Sequence, residues 1–550
     1  MSPRALLFAT LVVCACTGKI SFPSASDAPG VKPKDPITDP TMMQPQPEAP
    51  AVAGITALRR LTRTELDLTL AELTGDTHHT ALTLMPGEDM KPFDDDYSKQ
   101  IASAVWVEAA ESLAQQITQD TMADTARKAS VLPCTPSSDD DMQCLGEFIQ
   151  TFGRRALRRP LTAAEVTEFS NLHSLARQRG GFDDSMALAM RRLLLDPEFL
   201  FHVEVGTPVA GDLANTFQLT PYELASRLSF FLLGRGPSAA LLDLADQGKL
   251  DTAAGIREVA AQLVDSAEGR AHVELYHAMW LGYFALPYDS TFNSELTTET
   301  NALVDKIVFG DKSDYRQLFL SEQSWVNDDL AQHYGLPVSG QSGFRWVSYG
   351  TSGRKGILSH AALLSNGVKQ TDTSPTLRGK WIRNRLFCQE IPPPPPNVSA
   401  DVPPPATDGG VVCKKDRYAA HATSASCSAC HAKMDPIGFG LEQYDRTGAY
   451  RTTEQDHPEC AISGDGAIDG VGSFNGPAGL ADLMTQSAGF DDCVVRQLFR
   501  YESGRTEKPD DEPLIRDVTK AFVADGRRFD QLLVELVANP TFAQRRLETP

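Results

Sequence analysis

The chain has 550 residues, of which 41% are hydrophobic, so it is long enough for two to four domains with sizeable cores. Its formal net charge is −21 at pH 7. This acidic balance argues against nucleic acid and anionic lipid as partners, because both require a basic surface that the composition lacks.

The N-terminus has the features of an export signal. Arg4 gives a short positive region, and the apolar run at 5–13 is too short to span a bilayer. The run ends in Val13-Cys14-Ala15-Cys16, which resembles a bacterial lipobox. We therefore predict a signal peptide over residues 1–15 and a lipid on the Cys16 thiol. The alternative is an ordinary signal peptide that is cut nearby.

The segment that follows, residues 16–53, is predicted to be a lipid-anchored tether. It is rich in Pro, Ser, Asp and Ala and has almost no aromatic residues, so it cannot bury enough apolar surface to fold. The residue after Cys16 is Thr17, not Asp, and the lipobox pattern then implies the outer membrane, facing the periplasm or the exterior. No later stretch is long and apolar enough for a transmembrane helix, which leaves the lipid as the predicted membrane contact.

The body of the chain predicts a mainly α fold. The same helix-start pattern, Leu-Thr-x-x-Glu-apolar, begins at Leu61, Leu161 and Leu219. In each case the Thr side chain is expected to cap the amide three residues later, while the Glu side chain reaches back to the Thr amide. One long amphipathic helix is predicted around 259–280.

Six cysteines remain once Cys14 of the signal segment, Cys16 with its predicted lipid and the two cysteines of the C-x-x-C motif described below are set aside. In an oxidising compartment an even number indicates disulfides, and six cysteines allow fifteen connectivities. We predict the pair Cys134–Cys144, which closes a polar Ser/Asp loop. The pairing of the others is left open, and some could be buried thiols. These others are Cys388, Cys413, Cys460 and Cys493.

Residues 391–405 contain five consecutive prolines at 392–396 and three more at 403–405. This composition predicts a polyproline II strut, which is stiff and has no internal hydrogen bonds. We interpret it as a boundary between the helical body and the C-terminal segment.

Cys427-Ser428-Ala429-Cys430-His431 has the form C-x-x-C-H, the attachment signature of a c-type haem. Two thiols three residues apart lie about one helical turn apart, so both can add to the vinyl groups of one porphyrin. His431 is then placed to bind the iron as the proximal ligand. We predict one covalent haem c at Cys427, Cys430 and His431, with Pro436 fixing a turn beneath it.

This motif has two other interpretations. A thioredoxin-like pair requires an apolar strand directly before it, and the residues at 419–426 are small and mostly polar. A structural zinc site requires two further ligands, and Cys413, His421, His457 and Cys460 are available for that role.

The sixth ligand of the iron is left open by the sequence. Met434 is only three residues past His431 and cannot reach the opposite face of the same porphyrin. Met484 is the candidate distal ligand, although its position on an amphipathic helix also fits a plain core residue. His457 is a further candidate, and an open or water-filled site is the remaining alternative.

Acidic residues downstream of the motif are predicted to be structural and not catalytic. Asp435, Glu442 and Asp445 are expected to cap helices or to pair with Arg446 and Arg451. The chain has no Ser-His-Asp order, phosphate-binding loop or H-E-x-x-H motif.

Several runs of sequence resemble a known family. The run at 374–382 with the prolines at 392–396 resembles the start of one of its domains, and the runs at 434–445 and 448–451 after the C-x-x-C-H resemble the end. The chain is thus similar to large exported bacterial proteins assembled from domains of unknown function numbered 1587, 1595, 1592, 1588 and 1585, in that order. The resemblance implies a cytochrome-like protein without a settled substrate, and some relatives carry carbohydrate-binding labels.

The run after the C-x-x-C-H also resembles the haem segments of bacterial di-haem peroxidases. This chain has one C-x-x-C-H, not two, so it lacks the second haem of such a relay. Together with the family order, the resemblance implies a multi-domain helical protein that ends in a cytochrome c-like helical segment. The expected domains are two N-terminal helical domains at 54–154 and 155–210, a central one at 217–350, a haem-bearing one at 356–455 and a C-terminal one at 490–550.

Three functions follow from these observations. The first is an extracytoplasmic c-type cytochrome lipoprotein that transfers electrons, either to a redox partner protein that the sequence does not identify or as a subunit of an envelope oxidoreductase. The second is a haem peroxidase or oxygenase. The third is a non-enzymatic surface protein, for example a carbohydrate-binding one, in which the C-x-x-C-H is structural. The role of the helical body at 55–350 is not given by the sequence.

Overall fold

The structure is a computed structural model that describes residues 51–547, except 91, 179, 212–214, 370–371, 394–412, 424 and 456. The predicted signal peptide, Cys16 and all but the last three residues of the predicted tether lie outside the described residues. So does most of the predicted polyproline segment.

The prediction of a mainly α fold is confirmed, with 23 α-helices in the described part of the chain. The helices of the first third are α1 Arg63–Thr74, α2 Thr80–Leu84, α3 Ala104–Ala123, α4 Thr125–Val131, α5 Met142–Ala156, α6 Ala163–Ala176, α7 Phe182–Leu194 and α8 Pro197–Leu200. Those of the middle are α9 Pro221–Leu233, α10 Ala239–Asp246, α11 Ala253–Asp265, α12 Ala267–Leu281, α13 Ser290–Asp305, α14 Gln317–Leu320, α15 Asp328–His333, α16 Ala361–Leu364 and α17 Pro375–Leu386. The last six are α18 Lys414–Thr423, α19 Ala425–Phe439, α20 Gly476–Thr485, α21 Phe490–Ser503, α22 Glu512–Ala524 and α23 Phe529–Ala538.

The three predicted helix starts are confirmed as reciprocal caps. Thr62 accepts a hydrogen bond from the Glu65 amide, and the Glu65 carboxylate accepts one from the Thr62 amide at 2.8 Å. The same pair of bonds opens α6 at Thr162 and α9 at Thr220. Each cap satisfies amides that have no partner within the helix, which explains why these short patterns fix the starts so firmly.

The prediction of one helix around 259–280 is wrong, because the chain breaks at Ser266 into α11 and α12. Ser266 ends the first helix in an extended conformation, and its side chain accepts a hydrogen bond from the Gly269 amide, which caps the second. A serine that competes for local backbone bonds favours such a break, and the continuous apolar pattern conceals it.

The helices pack around two hydrophobic cores within one compact unit, Ala49–Pro550. The first core takes its buried side chains from 61–200, with Phe230 added from α9. The second takes its buried side chains from 219–543, with Phe93 added from the N-terminal part. The C-x-x-C-H helix, α19, contributes Ile437 to the second core.

The strands are short, and one small sheet joins the two ends of the described chain. The strands are β1 Arg59–Arg60, β2 Phe201–His202, β3 Thr207–Pro208, β4 Thr216–Gln218, β5 Gln323–Val326, β6 Arg345–Ser348, β7 Thr453–Glu454, β8 His457–Ala461, β9 Asp465–Ile468, β10 Gly472–Asn475 and β11 Gln544–Arg546. β11 pairs antiparallel with β4, and the Arg546 amide donates to the Gly54 carbonyl at 3.2 Å. The predicted tether therefore leads directly into a point where the first and last described residues meet.

Three disulfides pair the six cysteines that the sequence left over. Cys134–Cys144 is confirmed, and the other two pairs are Cys388–Cys493 and Cys413–Cys460. The last two join segments that are 105 and 47 residues apart and both brace the region around α17 to α21.

None of the described helices combines the length and the apolar composition that crossing a bilayer requires.

Candidate functional site

The C-x-x-C-H motif lies on α19, which crosses α17 at backbone contact. Two glycines permit this approach. A Cβ atom at Gly438 would lie 1.8 Å from the Pro375 carbonyl oxygen, and one at Gly379 would lie 1.9 Å from the Met434 carbonyl oxygen. Only a residue without a side chain fits either position. The crossing therefore fixes the height and rotation of α19 relative to the second core.

Cys427, Cys430 and His431 are all half-buried on this one helix. On a helix of 3.6 residues per turn they fall within an arc of about 100°. The two thiols are not part of any of the three disulfides. Pro436 does not form a turn as predicted; it lies inside α19, where its missing N–H removes one helical hydrogen bond.

His431 is held by a buried carboxylate one turn further along the helix. Its Nδ1 lies 2.9 Å from Oδ2 of Asp435, and the Thr376 hydroxyl donates to Oδ1 of the same carboxylate at 2.6 Å. Nε2 of His431 has no hydrogen-bond partner within the described residues. A carboxylate at Nδ1 favours the tautomer that carries its proton there, which leaves the Nε2 lone pair for a metal.

A second histidine lies against the first. The His421 ring on α18 is 4.0 Å from the His431 ring, and its Nδ1 is 3.7 Å from Oδ2 of Asp435. Burial, with a smaller contribution from His431, lowers the pKa of His421, so this ring favours the neutral form. Tyr418 makes an edge-on ring contact with His421, and Phe439 in turn makes an edge-on contact with Tyr418.

A cavity of about 840 Å³ opens beside His431. It lies between α18, α19 and the β9–β10 hairpin, with Tyr418, Phe439 and Phe474 among its walls and Lys415 at its edge. Its volume lies within the range of roughly 300–1,000 Å³ that is usual for cofactor and small-molecule sites. His431 and Asp435 reach the cavity, whereas neither cysteine is among the lining residues in the described part of the chain.

A buried ion cluster closes one end of this cavity. The carboxylate of Glu442 accepts hydrogen bonds from Lys414 at 2.9 Å, Arg451 at 3.0 Å and Arg378 at 3.2 Å. The predicted pairing of Glu442 with Arg451 is therefore present. Asp445 accepts hydrogen bonds from the backbone amides of Thr447 and Ala449, so it stabilises a turn and does not cap a helix as predicted. The cluster ties the start of α18 to the segment that follows α19.

The distal-ligand candidates lie away from this cavity. Met484, on α20, is fully buried in the second core, and His457, on β8, faces Glu459 at 3.3 Å near the surface. Neither is among the residues that line the cavity within the described part of the chain. A distal role for Met484 stays a prediction.

The zinc alternative loses two of its four candidate ligands. Cys413 and Cys460 form a disulfide with each other, so neither is a thiolate. The thioredoxin alternative is also not supported, because the described residues directly before α19 belong to a helix, α18, and not to a strand.

Local patterns in the sequence do not identify the residues around His431. Asp435 was interpreted as a cap, although its i,i+4 spacing from His431 on one helix would have indicated contact. Thr376 and His421 come from other helices, and no local pattern in the sequence connects them to His431.

Family models match the chain in four places, in the predicted order. Each is described as "Protein of unknown function": DUF1595 at residues 144–204, DUF1592 at 219–336, DUF1588 at 354–454 and DUF1585 at 471–542. The DUF1588 model, which spans the C-x-x-C-H motif, has the short name PSCyt3, a cytochrome-like name. No curated protein and no solved structure matches the chain. The predicted 1587 domain and the likeness to di-haem peroxidases stay predictions.

Proposed function

Given that the chain belongs to the multidomain family built from the 1595, 1592, 1588 and 1585 domains of unknown function, we propose that it is an exported c-type cytochrome. One haem would be attached to Cys427 and Cys430, with His431 as the proximal ligand. We further propose that residues 1–15 are a signal peptide and that lipid on Cys16 holds the protein at the outer membrane. When bound, the haem supplies a one-electron Fe(III)/Fe(II) couple.

One observation carries this proposal: the orientation of His431. Its Nδ1 forms a hydrogen bond with Asp435, which is itself fixed by Thr376, and this contact favours the tautomer that presents the Nε2 lone pair to a metal. The two thiols lie on the same arc of α19, and a cavity of cofactor size adjoins the ring. Two thiols on one arc of a helix and an imidazole oriented by a carboxylate are the groups that a c-type site requires, and the cavity borders the imidazole but, among the described residues, neither thiol.

The experiment is export of the chain together with the cytochrome c maturation machinery, followed by a haem stain on a denaturing gel. Wild type is expected to stain, and Cys427→Ser/Cys430→Ser is expected to lose the stain. Cys134→Ser/Cys144→Ser is the matched control, because it removes two cysteines from a disulfide far along the chain from α19 and should keep the stain. A colourless wild-type protein would refute the proposal.

A haem enzyme, either a peroxidase or an oxygenase, is the second candidate function. The observation that favours it is the cavity, whose described lining contains one histidine and no methionine. The distal ligand separates the two functions. If Met484 is the distal ligand, carbon monoxide will leave the wild-type haem spectrum unchanged, and Met484→Leu will produce a haem that binds carbon monoxide. If carbon monoxide already shifts the wild-type spectrum, the distal position is open and the enzyme function is favoured.

A further inference from the structure

His421, His431 and Asp435 form a cluster between α18 and α19 that suits a metal ion; we refer to it as the His-His-Asp cluster. Oδ2 of Asp435 lies 2.9 Å from Nδ1 of His431 and 3.7 Å from Nδ1 of His421. One ligating atom from each residue lies within 4.8 Å of the other two. Because the donors come from two packed helices, their separation is set by the fold and not by one flexible loop.

These separations are close to those around a bound ion. Zinc binds imidazole nitrogen at about 2.0–2.1 Å and carboxylate oxygen at about 2.0–2.2 Å, so neighbouring donors in a tetrahedral site lie roughly 3.3–3.5 Å apart. The two separations from the Asp435 oxygen lie on either side of this value. Small rotations of the two rings would equalise them.

One ligating atom of the cluster has no hydrogen-bond partner among the described residues. Nδ1 of His421 is buried and has no hydrogen-bond partner in the described part of the chain, since 3.7 Å to Asp435 is too long for a hydrogen bond. A buried polar atom without a partner is destabilising, and such atoms are few in native proteins. An ion between His421 and Asp435 would satisfy it.

We propose that the haem-free chain binds one divalent transition-metal ion through Nδ1 of His421, Nδ1 of His431 and Oδ2 of Asp435. Two imidazoles and a carboxylate suit Zn²⁺ and Fe²⁺. Three protein ligands leave at least one position for water or another small oxygen ligand. His431 and Asp435 also line the cavity, so this position is accessible from it.

The ion and the haem would compete for His431 as a ligand. A neutral imidazole carries one proton, and an ion at Nδ1 moves that proton to Nε2, the atom that a haem iron requires. The metal site does not depend on the haem proposal, because its donors are present whether or not a porphyrin is ever attached.

The test uses the Cys427→Ser/Cys430→Ser chain, which cannot attach haem covalently and has no thiolate at the motif. After treatment with a chelator, the protein is titrated with Zn²⁺ by calorimetry and with Co²⁺ by visible absorption. One equivalent is expected to bind, and His421→Ala or Asp435→Asn is expected to weaken binding at least about tenfold. His78→Ala is the matched control, because His78 is an exposed histidine between α1 and α2, outside the cluster, and its replacement should leave the affinity unchanged.

Two results would overturn the proposal. The first is an absence of Zn²⁺ and Co²⁺ binding to the folded chain. The second is equal affinity in all variants, which would place the ion elsewhere. The Co²⁺ spectrum of the chain with an intact cluster reports nitrogen and oxygen ligation directly, so the test holds even if a cluster variant fails to fold.

Discussion

At the scale of single residues, Asp435 has the clearest influence on the candidate site. It is 8% exposed, and each of its two oxygens has its own partner, His431 and Thr376. A carboxylate that shares the Nδ1 proton makes the imidazole a stronger donor through Nε2, which stabilises a ferric iron more than a ferrous one. Asp435 is therefore a positioning residue that tunes the proposed haem.

We predict that Asp435→Asn retains covalent haem but raises its reduction potential, because the neutral amide is a weaker acceptor for Nδ1–H. A potentiometric titration of the purified cytochrome measures the change. Asp465→Asn is the control, since Asp465 lies on the hairpin wall of the same cavity and is bonded to Asn475 instead. An unchanged potential in Asp435→Asn would show that the contact is only structural.

A second titratable residue of interest is Glu299, far from the haem motif in sequence. It is fully buried, and it accepts hydrogen bonds from Ser324 at 2.5 Å and Tyr334 at 2.6 Å. Burial raises the pKa of Glu299 from 4.5 to about 7, despite these two bonds. The folded state therefore binds the proton more tightly than the unfolded state.

The sign of the pH effect follows directly. Both states are protonated below about pH 4.5, and between pH 4.5 and 7 the unfolded state ionises first, so the free energy of unfolding falls as pH rises. We predict a loss of roughly 3 kcal/mol across this window. Glu299→Gln should remove this pH dependence of the free energy of unfolding. It should also lower that free energy by an amount that does not change with pH, because one of the two hydroxyl groups loses its acceptor.

Denaturant titrations at several pH values measure this dependence. Glu258→Gln is the control, since Glu258 is exposed on α11 and its replacement should leave the slope as in wild type. If Glu299→Gln and wild type lose stability in parallel from pH 4.5 to 7, Glu299 is not the group that titrates.

At the scale of elements, the crossing of α17 and α19 sets the geometry of the candidate site. Thr376 is on the first helix and His431 on the second, so the distance between the helices decides whether Thr376 reaches Asp435. Gly379 and Gly438 keep that distance at backbone contact. The alignment of His431 is thus a property of two helices and not of the motif alone.

We predict that Gly438→Ala destabilises the protein by about 1–3 kcal/mol or more, because its Cβ would overlap the Pro375 carbonyl. Haem incorporation should fall with it. Gly146→Ala is the matched control: Gly146 is inside α5, where an added Cβ meets nothing within 4 Å, and alanine should stabilise that helix by about 0.5–1 kcal/mol. Thermal unfolding of both variants gives the comparison, and equal behaviour would contradict the steric argument.

At the scale of the whole molecule, disulfides and a small sheet connect distant parts of the chain. Cys388–Cys493 closes a span of 105 residues and joins the end of α17 to α21, whereas Cys134–Cys144 closes a span of 10. A crosslink restricts the unfolded chain more when the loop that it closes is longer. The longer crosslink holds the end of α17, the helix that crosses α19, to the C-terminal helix α21.

We predict that Cys388→Ser/Cys493→Ser lowers the free energy of unfolding by about 4–5 kcal/mol. Cys134→Ser/Cys144→Ser is expected to lower it by about 3 kcal/mol or slightly less. Chemical denaturation of the two variants beside wild type measures both values. The reverse ranking would indicate that loop entropy does not control the effect.

Local patterns in the sequence were sufficient to predict features that depend on residues close together in the chain. The caps at Thr62, Thr162 and Thr220 involve residues three apart, and the Cys134–Cys144 disulfide spans a short loop, so each could be predicted without knowledge of the fold. The break at Ser266 could not be predicted in the same way, because the apolar pattern continues across it and the hydrogen bond from the Gly269 amide to the Ser266 hydroxyl is visible only in the structure. Local patterns also placed Pro436 in a turn, although the helix continues through that proline.

The sequence by itself determined the mainly helical class, the helix starts and the C-x-x-C-H motif, because each depends on residues within a few positions of one another. The surroundings of His431 and the disulfides Cys388–Cys493 and Cys413–Cys460 could be identified only from the tertiary structure. Thr376, His421 and the cavity walls come from helices and strands whose approach depends on the packing of the second core and on two glycines that have no side chain to signal their role. Long-range contacts of this kind leave no periodicity or fixed spacing in the sequence, so they cannot be predicted before the packing of the helices is known.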